Sequence, residues 1–412
     1  MNLEAVNLDT VNLDTGSEVF LETGNFDIAD PAYVADPFPF WAEARGCPVH
    51  TSDQRGGVHL VIGYDAVIEA ANNVPVLSSS LGTSVFPTLE DRTDPRYPRS
   101  IIASDQPIHT PVRRTMLPTF SPAMVKEYEP ITRGLCERYL DEFGDRTTVD
   151  AAREYAQRIP ARVIGLILGV DESMTEIFIG WVRDILENVA KDPQRRLEAG
   201  LEMTTYFEGE MALRRKNPMN DLTTKMLNAK TEDGKPLEHR DILGNLQLLL
   251  IAGIDTTWSA IGSSLWHLAQ NPAQRAQLRD RPELWPSAVE ELLRAFAPVT
   301  MGRRALDETE ISGCPVSEGD RVLLAFPAAN RDPAVFENPD VVDFERAENR
   351  HVAFGAGIHR CAGSNIARME LRVALQAWMD RFPDFELEAG TTTTWAGGQV
   401  RGPRSVPVLL HR

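Results

Sequence analysis

Phe354-Gly355-Ala356-Gly357-Ile358-His359-Arg360-Cys361-Ala362-Gly363 is the stretch on which the reading of this chain turns, because it sets one thiol in a glycine-rich loop. Downstream, Ile366, Met369 and Val373, with Leu371, Leu375 and Trp378, recur at helical spacing, which predicts a helix over residues 365–382. The loop thus delivers Cys361 to a helix N-terminus. Free N–H groups and the positive end of the helix dipole favour a thiolate there, and the glycines let the backbone approach a bulky flat ligand. No second Cys or His stands at the short spacings of a zinc or iron–sulfur site, so a lone thiolate points to a single axial bond, as in a haem. The competing assignment is a small, inert, buried cysteine, the ordinary state of a lone thiol.

What separates the two is the arrangement as a whole. Phe354, the alternate glycines, His359, Cys361, Gly363 and the run Ala367-Arg368-Met369-Glu370 resemble the haem-binding loop of the cytochrome P-450 superfamily. Ala362 stands where many relatives carry leucine, a departure that touches packing under the haem and not its ligation. The resemblance implies haem b (iron protoporphyrin IX), with Cys361 as the metal ligand and Phe354 and Gly363 beside the cofactor.

The chain has 412 residues and no linker that would divide it. It is expected to form a single domain over residues 26–412 behind a mobile or loosely docked tail, 1–25. In that tail the polar block Val-Asn-Leu-Asp-Thr stands at 6–10 and again at 11–15, too little to make a solenoid. Cys47, Cys136, Cys314 and Cys361 are scattered without a framework, which suits a reducing, cytoplasmic setting. No run of about eighteen apolar residues and no signal-peptide profile is visible, so a soluble chain with no membrane attachment is expected. A formal net charge of -18 argues against nucleic acid as a partner.

Along the chain, a short helix is predicted over 39–45, then a β-hairpin from Val49 to Gly63 turning at Gly56-Gly57. Residues 78–104, with Leu81, Val85, Phe86 and Leu89 as their apolar members, are too irregular for one helix; in the resembling family this region lids the substrate pocket. His109 and Arg113 flank the start of a helix expected near Pro111, and the resemblance makes them holders of a haem propionate, against the plainer reading of a solvated helix start. The middle third reads as helical scaffold broken at Gly144, Pro160, Gly169, Pro218 and Gly234.

Residues 237–270 contain no proline and are apolar at their centre, which predicts a long buried helix. Ala252-Gly253-Ile254-Asp255-Thr256-Thr257 breaches that pattern. A glycine costs roughly 1 kcal/mol in a helix, and a buried Asp costs more unless paired. The breach is either a packing notch with self-satisfied hydroxyls or a site at which Gly253 admits a flat cofactor or O2, Thr256 donates to dioxygen and Asp255 feeds protons inward. The second reading is similar to the family's acid–alcohol pair.

Glu291 and Arg294 stand on one face of a helix predicted over 285–296; alone they would be an ordinary surface pair worth a few tenths of a kcal/mol. The resemblance joins them to Arg346 in a buried structural triad that locks a proline-punctuated meander behind the cysteine loop. It also makes Arg303 and His359 further propionate holders. Strands and turns are expected over 311–326, and a C-terminal hairpin near Gly397-Gly398 reaches back toward the pocket. Position by position, the resemblance suggests Leu248, Ile251, Ala252, Val299, Met301 and Val400 as substrate lining.

The implied fold is mainly α with a small β region: a triangular helical domain with the haem between the long central helix and the cysteine-loop helix. The implied function is a monomeric, cytoplasmic haem-thiolate monooxygenase that inserts one atom of O2 into a small lipophilic substrate, by hydroxylation or O-dealkylation. Electrons would come from NAD(P)H through a reductase and a ferredoxin docking on Arg113, Arg114, Arg360, Arg368 and Arg372. The alternatives are a peroxide-driven peroxygenase, which would not need the acid–alcohol pair, and a non-catalytic haem-binding sensor, which would not need a proton relay.

Overall fold

The computed structural model describes residues 26–86, 97–187 and 192–411. The expected tail over 1–25 and Leu89 of the expected lid lie outside them. Helices dominate, and four small sheets are present among the described residues. The longest helix, His239–Gln270, crosses the core and is called the central helix below. It carries an apolar window that, by length and composition, could cross a membrane, which counting uninterrupted apolar runs overlooked because Gly, Ser and Thr are interspersed. In this fold 67% of that window is buried among other helices. The second organising element is the cysteine helix, Ser364–Arg381, one face of which packs on Pro122–Asp141.

The β region is built mainly from an N-terminal hairpin and two later strands. Val49–Ser52 pairs antiparallel with Val58–Val61, which runs parallel to Arg321–Ala325; Thr300–Ala305 and then Leu77–Ser78 complete the sheet. The expected hairpin is therefore present, and its sheet carries Met301 and Arg303 on the strand Thr300–Ala305. At the C-terminus, Thr394–Ala396 and Gly402–Ser405 form the second hairpin.

One expected boundary holds and one moves. Near Pro160 the π-helical Ala151–Ala156 gives way to the α-helix Arg158–Leu168, in whose first turn the proline is tolerated. The helix expected near Pro111 starts at His109, so His109 and Arg113 share its first two turns. In the segment expected as a lid, Val85 and Phe86 pack with the N-terminal aromatic cluster around Phe26 and Tyr33, not with the pocket.

The triad residues meet in the core. Arg294 and Glu291 have fully buried side chains (0% exposed each) and share a two-pronged ion pair at 2.7 and 2.8 Å. Arg346 adds a bond to Glu291 at 3.0 Å. Arg294 also donates to the carbonyls of Asn330, Pro339 and Val341, so one side chain gathers the meander that leads to the cysteine loop. A surface pair this is not.

Candidate active site

Between the central helix and the cysteine loop lies a cavity enclosing about 1560 Å³ of space free of protein atoms, part of it open to solvent. Leu248, Ala252, Thr256 and Ala260 line it from the helix, four apart as one face requires, with Leu249, Gly253 and Thr257 as the adjoining row; His359, Cys361 and Gly363 line it from the loop. Ala252 and Cys361 are both exposed although they sit mid-chain in packed elements, because each faces this cavity.

The loop holds its shape through its own backbone. Cys361 N–H donates to Phe354 O at 2.8 Å, and Gly355 N–H to Val352 O at 2.8 Å. Gly357 has a φ of +66°, and a Cβ there would stand 2.6 Å from Ala71 O. Its glycine thus answers to the neighbouring helix Tyr64–Asn72 and not, as expected, to a ligand. Although Cys361 opens onto the cavity, the protein enclosing that cavity desolvates its thiol and pushes it up, against the pull of the Gly363 N–H and of the charges of Arg113, Arg360 and Arg368. A stabilising N–H of the kind expected from the sequence is present, and desolvation outweighs it.

At one edge of the cavity four donors converge. The His109 and His359 rings are 4.4 Å apart, and the Nε2 of each is buried without a partner. Burial, then the charge of Arg113, lowers His109 to about 4; burial, then Arg303 and His109, lower His359 to about 3, so both rings are neutral at pH 7. Arg303 is 4% exposed, donates to Gly302 O at 2.7 Å, and is brought down to about 10 by burial. The nearby carboxylate, Asp105, is engaged by Ser78 and by the N–H of Ser79. Arg113 donates to Arg360 O. A buried guanidinium without a counter-charge is costly. Two imidazoles whose buried Nε2 atoms lack partners and an arginine without a carboxylate partner, at the rim of an apolar slot with a thiol on its wall, fit a flat group with acid side chains at one edge and a sulfur-binding metal at its centre.

Across the cavity, Thr256 Oγ1 donates to Ala252 O at 2.7 Å, the self-satisfied hydroxyl of a packing notch, while its side chain faces the cavity. Asp255, about 100° round the helix, faces away. Its carboxylate meets Arg404 Nη2 at 2.8 Å, and Arg404 Nε reaches Glu187 at 2.6 Å. Burial raises Asp255 to about 6, with Arg404 pulling the other way. The acid and alcohol are neighbours in sequence on different faces of the helix. Gly253 also differs from expectation: it lines the cavity, but a Cβ would stand 3.0 Å from Ile164 Cγ1, so close approach of the helix Arg158–Leu168 accounts for the glycine.

Of the six residues expected to line the pocket, Leu248, Ala252, Val299 and Met301 do so. Ile251 and Val400 do not. Ile251 lies off the cavity-facing row of the central helix and packs against the main core, and Val400, bridged through its backbone to Val299, is buried without reaching the cavity. Ile101, Ile102, Ile164, Ile167 and Phe326 line it without having been singled out. Ile164 and Ile167 had a signal, a helix apolar on nearly every side, which must be buried on more than one. Glu370, on the cysteine helix, also borders the cavity and is pushed up to about 8 by burial.

A family model described as cytochrome P450 matches residues 172–393. Cytochrome P450 107B1 of Saccharopolyspora erythraea is 35% identical, with 70% of this chain and 71% of the relative covered. Mycinamicin IV hydroxylase/epoxidase of Micromonospora griseorubida is 32% identical, with 78% and 82% covered. Among solved structures, CYP109E1 from Bacillus megaterium in complex with testosterone superposes with a TM-score of 0.84 at 29% identity, covering 92% of this chain and 99% of that one. With the thiol-walled cavity, the mainly helical fold and these likenesses in agreement, the chain belongs to the cytochrome P450 family of haem b-dependent monooxygenases.

Proposed function

We propose that this chain is a single-domain monooxygenase for a compact lipophilic substrate, in which the sulfur of Cys361 would bind the haem iron and His109, Arg113, Arg303 and His359 would hold the haem propionates. The observation that carries this is the pairing, in one cavity, of the Cys361 thiol with an edge of buried donors that lack an anion. Haem bound there supplies O2 activation. Metal coordination would also settle the protonation of Cys361, since a ligating thiol gives up its proton.

The protein's own part is positional. Propionates would relieve the uncompensated charge of Arg303 and accept from the Nε2 atoms of His109 and His359. The aliphatic wall of Ile101, Ile164, Leu248 and Val299 excludes water and presents an apolar substrate toward Thr256. Glu370, held neutral at pH 7 by burial, offers no charged anchor. The relative named for mycinamicin IV and the neighbour that holds testosterone are in keeping with a lipophilic substrate.

For electron supply we retain NAD(P)H and a ferredoxin, with one correction to its docking surface. Arg114 pairs with Glu232, Arg368 with Glu290 and Arg372 with Glu129, so most of the expected basic patch is already neutralised. Arg360 is exposed and pairs with no described carboxylate. The deciding experiment is the ferrous carbonyl difference spectrum. A strongly red-shifted band is expected in the native protein and its loss in Cys361→His; retention of the band together with turnover in that variant would refute the assignment.

A further inference from the structure

Met301 lines the cavity, yet its side chain is fastened by a residue outside the cavity. The side-chain amide Nε2 of Gln399, at the tip of the C-terminal hairpin, lies 3.4 Å from Met301 Sδ. A thioether accepts and does not donate, so the NH2 end of the amide is the end that serves.

The hairpin tip is itself immobilised. Thr300 N–H donates to Gln399 O at 3.0 Å and Arg401 N–H to Pro298 O at 2.8 Å, on either side of the Val299–Val400 bridge. The Arg401 guanidinium reaches Val34 O at 2.8 Å and Ala35 O at 2.7 Å and lies 4.1 Å over the Trp395 ring. Gly397 and Gly398 press so closely on the N-terminal segments that a Cβ would stand 2.2 Å from Val34 Cγ2 and 2.9 Å from Phe86 Cε2. The amide therefore projects from a fixed backbone. A methionine facing open space would otherwise sample several rotamers about its three side-chain bonds. With one partner rigid and the other flexible, the rigid one sets the geometry.

We propose that Gln399 is a positioning residue for substrate selectivity: by holding the Met301 thioether it fixes the width of the chamber beside Val299, and so which part of an apolar substrate can approach the reacting centre. This rests on the haem lying between the central helix and the cysteine loop. It also gives the contact of the first helix, Pro31–Ala35, with the hairpin tip a consequence at the active site.

Two azole probes test it on the haem-loaded protein, read from spectral titration. Imidazole ligates the haem iron without filling the chamber, whereas 4-phenylimidazole carries an aryl group into it. Gln399→Glu keeps the shape and removes the donor; Met301→Leu keeps the volume and removes the acceptor. Each is expected to change the 4-phenylimidazole Kd by about threefold or more in the same direction while imidazole stays within about twofold, and the double variant should change no further than either single. Additive effects in the double variant, equal effects on both azoles, or no effect on either would overturn the proposal. Absence of any azole shift in the native protein would instead remove the haem-site reading on which it rests. A melting temperature recorded for each variant separates repositioning from misfolding.

Discussion

Asp255 and Thr256 divide, between two faces of one helix, what the sequence offered as a unit. Thr256 stands at the cavity with its hydroxyl bonded to Ala252 O, and Asp255 is ion-paired with Arg404 on the far side. If the Thr256 hydroxyl is needed for productive oxygen use, Thr256→Ala should keep NAD(P)H consumption while product falls about tenfold and hydrogen peroxide rises. An unchanged ratio of product to NAD(P)H would leave the threonine as packing only. For Asp255 the pH dependence has a definite sign. Its folded pKa, about 6, lies above the ordinary carboxylate value. The stability it contributes is therefore full below that ordinary value and is lost as pH rises through about 6. Asp255→Asn, in which Arg404 keeps Glu187, should melt a few degrees higher than the native protein at pH 8 and no higher at pH 4. If Asp255 supplies protons, the same variant should turn over at least about tenfold more slowly and lose any rate change centred near pH 6. Thermal melts and steady-state rates at the two pH values check both halves, and a variant equal to the native protein in both would sink the account.

At the scale of elements, the Glu291–Arg294–Arg346 cluster shows how differently one pair of residues reads before and after folding. An i,i+3 pair on an isolated helix contributes a few tenths of a kcal/mol, but here both side chains are fully buried and the arginine binds three meander carbonyls. Removing the carboxylate strands two guanidinium groups, so Glu291→Gln should cost about 3–5 kcal/mol in denaturant melts and lower the haem content of the purified protein. A loss below about 1 kcal/mol would place the cluster on the surface-pair scale. The elements themselves were largely legible: the central and cysteine helices start and stop within two residues of expectation, because a long apolar period and its flanking breaks are local signals. What was not legible depended on which element packs where. Gly253 and Gly357 are glycines because Ile164 and Ala71 press on them, and no spacing within the chain announces a neighbour distant in sequence. Ile251 was misplaced for the related reason that one step along a helix, from Ala252 to Ile251, turns a side chain out of the cavity. Arg404 as the partner of Asp255 belongs to the same class, since it comes from the far C-terminal strand Gly402–Ser405.

For the molecule as a whole, charge is the decisive quantity in any encounter with an acidic electron donor. A formal net charge of -18 repels such a partner at long range. At about 0.1 M salt, however, the Debye length is about 10 Å, so the approaching protein feels mainly the charges of the face it meets. On the cysteine side that face holds Arg114, Arg368 and Arg372, each paired with a glutamate, and Arg360, which is exposed and pairs with none of the described carboxylates. Neutralised pairs contribute little steering, whereas an unpaired cation adjoining Cys361 contributes most where the donor must come closest. Arg360→Gln should therefore weaken binding of the proposed ferredoxin several-fold, raising the ferredoxin concentration that half-saturates reduction, with a smaller change in the limiting rate. Arg114→Gln removes the same unit of charge but should do less, because Arg360 adjoins Cys361 and its charge acts on that thiol, whereas Arg114 is not among the charges that do. Native reduction should slow as salt is raised from about 0.02 to 0.5 M, and Arg360→Gln should lose most of that dependence. Stopped-flow reduction across a salt series measures both quantities. A native rate that is flat or rises with salt, or equal effects of the two substitutions, would show that screening of the global repulsion outweighs the local cation and that the donor docks on another face.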